Sequence, residues 1–154
     1  MPPRYLAPQE LRTYFTTFST ADRQCIFRPT AHAELMVTTL LHYRAQQRFE
    51  LHGFVVMPDH LHVLLTPAPE VPLEKVIQYI KGGFSFRLKK RFEVWERGHF
   101  DKRVPDRAAY EACITYIHRN PVVARLAEAE ETYPFSSATC MSDMDPMPVW
   151  MAQG

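Results

Sequence analysis

Between Gly53 and Thr66 two short apolar runs flank a Pro-Asp pair: Val55, Val56 and Met57 before it, and Val63, Leu64 and Leu65 after it. Proline followed by aspartate suits the centre of a tight turn. The stretch therefore predicts a hairpin whose second strand begins near His60. Side chains alternate along a strand, so Leu61, Val63 and Leu65 share one layer while His60 and His62 share the opposite face. Two imidazoles one strand repeat apart can converge on a single divalent ion. They can equally be hydrogen-bonded surface residues, and the pair alone does not decide between the two.

The same patterning runs through the rest of the chain. Tyr14 to Ser19 is aromatic and β-branched and predicts a first strand with Tyr14, Thr16 and Phe18 on one face. Thr30 is expected to cap a helix through Ala31 to about Gln46, with Leu35, Thr38, Thr39, Leu41 and His42 forming its inner face. After Pro72, a residue suited to opening a helix, Leu73, Val76, Ile77, Ile80, Phe84 and Leu88 recur at three and four residues as a core-facing stripe. Tyr79, Gly82, Gly83, Phe86, Arg87 and Lys90 share a second face of that helix. Adjacent glycines in mid-helix cost roughly 1 kcal/mol each relative to alanine. The cost makes sense where a backbone or a phosphate approaches closely; a kink there, with the aromatic rings buried, is the competing reading.

A further strand is expected near Phe100–Val104, then a helix from an Asp106 cap through Arg107 to Asn120. That helix is expected to end at Pro121, because the residue before a proline is pushed out of the helical region. Strand, helix, strand, strand, helix, strand, helix is the order of an α+β sandwich of ferredoxin-like type. The histidine pair falls on a central strand of its antiparallel sheet and Tyr116 on a flanking helix. Residues 1–138 read as a single domain and 139–154 as an irregular acidic tail.

Composition changes this picture little, but charge distribution changes it more. At 154 residues, 46% hydrophobic and 23% charged, the chain is large enough for a core without staples. No apolar run approaches the roughly 20 residues needed to span a bilayer, and the N-terminus lacks a hydrophobic signal core. Cys25, Cys113 and Cys140 lie far apart without metal-ligand spacing, so reduced thiols and a cytoplasmic location are expected. The net charge is +1, yet Lys81 to Arg107 holds nine Lys/Arg against four acids, whereas Leu126 onward holds five acids and no Lys/Arg. A basic segment on a nearly neutral protein suggests a polyanion bound at one place; its bland counterpart is a solvated helix face. Aromatic and basic neighbours suit single-stranded nucleic acid, with stacking added to phosphate neutralisation.

Tyr116 and Asn120 lie four residues apart and so share a helical face, with small Ala112 one turn earlier. A phenol with pKa of about 10 is mostly protonated at neutral pH. As a nucleophile it needs an electrophile polarised by a cation, and a divalent ion on a phosphodiester supplies that. The Asn120 carbonyl could be a third ligand. By spacing alone the two are equally an amphipathic tyrosine and a helix-ending asparagine. A histidine-triad phosphate site is disfavoured, because Leu64 stands where its third histidine belongs.

Phe54-Val-Val-Met-Pro-Asp-His60-Leu-His62-Val-Leu-Leu resembles the histidine–hydrophobic–histidine strand of the HUH endonucleases. Tyr116-Ile-His-Arg-Asn120-Pro-Val-Val-Ala-Arg-Leu resembles the tyrosine helix of the REP-associated tyrosine transposases, relatives of single-tyrosine insertion-sequence transposases. Ile80-Lys-Gly-Gly-Phe-Ser, Val94-Trp-Glu-Arg-Gly-His-Phe-Asp and Tyr133-Pro-Phe-Ser-Ser resemble further segments of that family in the same order, over about residues 12 to 138. An ordered set of this kind is more specific than any single motif. The resemblance implies that Tyr116 cleaves single-stranded DNA through a 5′-phosphotyrosine link. His60, His62 and Asn120 would hold Mg²⁺ or Mn²⁺, although imidazole is not the preferred ligand of so hard an ion as Mg²⁺. Tyr79, Lys81, Phe86, Arg87, Lys89, Lys90, Arg97 and Arg103 would contact a DNA hairpin and its single-stranded flank. A nucleoid-associated, cytoplasmic enzyme follows, with monomer and homodimer both open. His99 departs from the family, where an aromatic is frequent, and the tail after Ser137 matches no segment of it. A structured-DNA-binding protein without transposition activity is the alternative. A metal-dependent hydrolase of small phosphates leaves the basic, aromatic helix unexplained.

Overall fold

Pro58 and Asp59 form the two-residue turn between strand β2 (Phe49–Met57) and strand β3 (His60–Pro67), with Met57 directly opposite His60. The computed structural model describes residues 11–152. Strand β1 (Thr13–Ser19) pairs with the free side of β3, and β4 (Phe100–Val104) pairs with β1. All three pairings are antiparallel, giving the order β2-β3-β1-β4 with the histidines on a central strand.

Alternation then sorts the two faces of the sheet. Phe18, Leu61, Val63 and Leu65 form one core with α1 (Thr30–Ala45) and α2 (Leu73–Leu88). Val55, Met57 and Leu64 form a second core with α3 (Arg107–Val123) on the opposite face. The protein is an α+β sandwich whose sheet is covered on both sides. A bulge at His52 separates the paired positions Leu51 and Gly53 of β2. Gly53 lies close under α3: a Cβ there would lie 2.9 Å from Ile114 Cδ1. The bare backbone at Gly53 therefore sets the height at which α3, and Tyr116 on it, crosses the sheet.

Several elements differ locally from the pattern-based expectation. Thr30 is the first helical residue of α1 and not its cap; Pro29 takes that position, its carbonyl accepting from the amides of His32 and Ala33. The inner face of α1 is Ala33, Met36, Thr39 and Leu40, whereas Leu41 is exposed. Helix α2 carries the expected stripe and runs unbroken through both glycines. The close approach at Gly83 is protein, not phosphate: a Cβ there would lie 2.5 Å from the Tyr43 ring of α1, whereas one on Gly82 would meet nothing. Helix α3 is capped by Asp106, whose carboxylate accepts from Ala109 N at 2.9 Å.

Helix α3 does not end at Pro121. The proline ring lies on the buried stripe with Tyr110 and Ile117, and the helix continues to Val123. Proline forfeits its own N–H and crowds the carbonyl four residues back, but the turn beyond is closed by Ala124 N on Asn120 O and by Leu126 N on Pro121 O.

The stretch expected as an irregular tail, 139–154, follows a 3-10 turn at Ser137–Thr139 and carries another at Met141–Asp143 and a short helix α4 (Val149–Ala152). Met144 and Met151 are buried. Asp145 accepts two bonds from Arg44, at 2.9 and 3.0 Å, and one from Leu51 N at 2.7 Å. Its carbonyl meets buried His52 Nδ1 at 3.1 Å. A side chain that satisfies the β2 bulge was invisible in a Met- and Pro-rich composition.

Candidate active site

His60 and His62 project from β3 on the α3 side of the sheet, their ring centroids 4.8 Å apart. Each imidazole is gripped at Nδ1. His60 Nδ1 meets Asp59 Oδ1 at 2.7 Å, and His62 Nδ1 meets Thr17 Oγ1 at 2.8 Å from the facing position of β1. Both Nε2 atoms are left for something else. His62 Nε2 is buried and has no hydrogen-bond partner. A buried polar nitrogen without a partner is costly, and a lone pair aimed at a cation would account for it.

Burial pushes the His62 pKa down to about 3, with the neighbouring His60 adding to the effect. The ring is therefore neutral at physiological pH, which a metal ligand must be. Burial pushes the Asp59 carboxyl up, but hydrogen bonds from Arg23 and His60 outweigh it and hold that carboxyl below its ordinary value. Asp59 is thus a carboxylate orienting His60, the arrangement commonly found behind metal-bound histidine. The donor set fits a divalent ion. Among the described residues no group of three or more His, Cys, Asp or Glu could hold a metal, so a third protein ligand would have to be of another type, such as an amide.

Tyr116 meets this pair from α3. Its ring packs edge-on against His62 at 5.3 Å and against Phe15 at 5.8 Å, while Phe15 stacks on His62 at 5.3 Å. Tyr116 is 53% exposed, so its ring is placed by the histidine while part of it stays open to solvent. Asn120 lies half-buried one turn further along α3 and makes no hydrogen bond to either imidazole. His118 is turned elsewhere, meeting Ser137 Oγ at 2.9 Å.

The expected DNA-contacting residues divide between two layers. Tyr79 stacks on Tyr43 at 5.2 Å under Arg48, on the far side of the sheet from Tyr116. Arg87 donates to Gly83 O and lies over Tyr43, while Phe86, Lys89 and Lys90 are exposed or nearly so. Lys81 is committed inward: its ammonium donates to the carbonyls of Gly98 at 2.7 Å and Glu96 at 3.3 Å, and burial lowers its pKa. Arg97 lies beside the site with Phe100, Thr17 and Ser19, lining a shallow cavity of about 300 Å³. Arg103 is exposed and, pairing with Tyr14, points to the α1–α2 side.

On the site side the register adds two residues of the basic segment that no motif singles out. Lys102 pairs with Phe15 and Phe100 with Thr17, so both face α3, and Phe100 is 58% exposed. Lys102 reaches α3, where its charge partly offsets the burial that pushes the Cys113 thiol up. Alternation along β1 implied that Phe15 and Thr17 share a face; only strand pairing brings that face to His62.

Fold and site together define a class: an α+β protein in which a strand-borne histidine pair faces a helix-borne tyrosine across one side of an antiparallel sheet. The family follows from the sequence match, since the model of the IS200-like transposases covers residues 10–120 and the chain belongs to that family. An uncharacterised Haemophilus influenzae protein is 22% identical, the match covering 71% of this chain and 80% of that protein. The fold is that of a REP-associated tyrosine transposase solved bound to a REP hairpin, with TM-score 0.74 at 19% identity over 96% of this chain and 88% of the other. A Deinococcus radiodurans protein provisionally described as a transposase aligns with TM-score 0.55 at 21% identity, over 75% of this chain and 92% of that one. Among the described residues no helix is long and apolar enough to cross a membrane.

Proposed function

We propose that this protein nicks and rejoins single-stranded DNA beside a hairpin, with Tyr116 as the nucleophile and His60, His62 and Asn120 holding one Mg²⁺ or Mn²⁺. The observation that carries the reading is Tyr116 packed on His62, whose Nε2 is buried and unpartnered. When bound, the ion supplies charge that polarises the phosphodiester and offsets charge developing on its oxygens. Tyr116 Oη bonds to phosphorus as the bond from phosphorus to the 3′ oxygen breaks. The phenol proton leaves to water on the exposed side of the ring, and the departing oxygen takes up a proton to become a 3′-hydroxyl. The product is a 5′-phosphotyrosine. Rejoining reverses the exchange, a 3′-hydroxyl attacking that phosphorus and returning the phenol.

The flanking single strand runs past Arg97, Phe100 and Lys102, where an exposed ring and two cations suit stacking and phosphate neutralisation. The exposed residues Phe86, Lys89, Lys90 and Arg103 are left for the hairpin stem. Tyr79, Lys81 and Arg87 support that surface from within it. A hairpin is the proposed substrate because the structurally similar transposase was solved bound to one. Such an enzyme works where the chromosome is, in the cytoplasm at the nucleoid.

The test is a labelled single-stranded hairpin with flanks, incubated with the protein and Mn²⁺ and run on a denaturing gel. A covalent adduct that maps to Tyr116 by mass spectrometry is expected, and Tyr116→Phe is expected to bind the hairpin without forming it. An adduct on Tyr110 or Tyr79, or one that survives Tyr116→Phe, would sink the assignment. Hairpin binding with no adduct under any metal would leave a structured-DNA-binding protein.

A further inference from the structure

We propose that Arg23, acting through Asp59, is a positioning residue that fixes the His60 imidazole with its Nε2 lone pair toward the ion; this rests on the reading of His60 as a ligand. Arg23 Nε donates to Asp59 Oδ2 at 2.9 Å, and the other carboxylate oxygen, Oδ1, meets His60 Nδ1 at 2.7 Å. An oxygen held there as an acceptor requires the proton on Nδ1, which leaves Nε2 bare.

The surroundings of Arg23 hold it at this contact, with Glu96 as a second acidic neighbour. Asp22 and Arg23 both have φ of 54°, a left-handed backbone that residues with a Cβ adopt at a cost. The 3-10 turn Ala21–Arg23 buries no residue. The Arg23 side chain is 58% exposed, and an exposed ion pair adds little to stability. Yet the turn is tied to the hairpin turn by two backbone bonds, Thr20 N to Asp59 O and Phe27 N to Pro58 O, both at 3.0 Å, while the single Thr20 hydroxyl proton lies between Gln24 O at 2.6 Å and Asp59 O at 3.1 Å. Those bonds hold two loops at fixed separation, and the unfavourable backbone aims one guanidinium at one carboxylate. Without Arg23 that carboxylate is free to rotate toward water, and the His60 proton is free to change nitrogen.

The test compares the parent, Arg23→Gly and Asp59→Ala by three measurements: thermal midpoint, Mn²⁺ affinity by electron paramagnetic resonance, and the imidazole ¹⁵N shifts of His60 in metal-free protein. Glycine adopts the backbone of position 23 without crowding, so Arg23→Gly is expected to keep or raise the midpoint. It is nevertheless expected to weaken Mn²⁺ binding about fivefold and to shift His60 toward a tautomer mixture, with Asp59→Ala weakening binding about tenfold or more. Parent-like affinity and ¹⁵N shifts in Arg23→Gly would overturn the positioning role while leaving the metal reading intact. Weaker binding that merely tracks a lowered midpoint would overturn it too. A parent that binds no Mn²⁺ would instead remove the metal reading, and the positioning role with it.

Discussion

Thr17 and His62 stand directly opposite each other in the β1–β3 ladder, and the Thr17 hydroxyl meets His62 Nδ1 at 2.8 Å. Phe15, two residues earlier on the same face, stacks on the same imidazole. One strand thus both packs the ring and holds one of its nitrogens. Thr17→Val keeps the shape and removes the bond. It is expected to cost about 1–2 kcal/mol in urea unfolding and to weaken Mn²⁺ binding roughly tenfold by calorimetry. An unchanged affinity would mean that Phe15 and Tyr116 alone hold the ring.

The two histidines are expected to bind one ion together. In a calorimetric titration the parent should take up one Mn²⁺. The His60→Ala, His62→Ala double variant should take up none. A titration indistinguishable from the parent's would move the metal elsewhere.

DNA contacts should separate by layer. Affinity for single-stranded DNA falls with salt by a slope of roughly 0.7 per phosphate neutralised. Lys102→Ala should flatten that slope for both a bare single strand and a hairpin with flank. A Lys89→Ala, Lys90→Ala pair should flatten it for the hairpin alone. If the pair affects both substrates equally, the single strand crosses α2 and not β4.

Acid should unfold the protein in a predictable window. The His62 pKa is depressed to about 3, and burial also lowers those of His52 and His118. The unfolded chain binds these protons near the ordinary histidine value while the folded chain refuses them. Stability is therefore whole above about pH 6.5 and falls as the pH drops from there toward 3. For His62 the loss is up to about 1.4 kcal/mol per pH unit. Urea midpoints flat from pH 7 to pH 4 would refute this.

The neighbouring glycines of α2 should respond with opposite signs. Gly82→Ala places a methyl in open space and should stabilise by up to about 1 kcal/mol through helix propensity. Gly83→Ala must displace the Tyr43 ring, which is stacked on Tyr79, and should cost about 1–3 kcal/mol. Thermal unfolding of the two variants measures both.

That contrast also marks where the sequence is legible. The β2–β3 hairpin, β4 and the α2 stripe follow from alternation and periodicity, which are local, and so does the shared face of His60 and His62. The reason for Gly83 is a ring forty positions away in sequence, and no local pattern carries it. Pro121 misleads for a related cause: backbone preference argues for a stop, while burial of its ring beside Ile117 argues for another turn. Tyr116 and the histidines could be named from their motifs. Thr17, Phe15 and Lys102 depend on strand register, which pairing across the sheet decides. The sides on which the cations fall were least legible, because a charge count along α2 and β4 does not say which side of the sheet each one occupies.

The clasp between Arg44 and Asp145 joins residues 101 positions apart. Closing so large a loop is entropically slow, so this contact belongs among the last to form as the chain folds. Until it does, Leu51 N lacks the carboxylate that caps it and His52 lacks the carbonyl beside its ring. The bulge they share lies next to Gly53, which seats α3. Any truncation ahead of residue 145 should therefore loosen the seat of Tyr116 while leaving every motif residue in place.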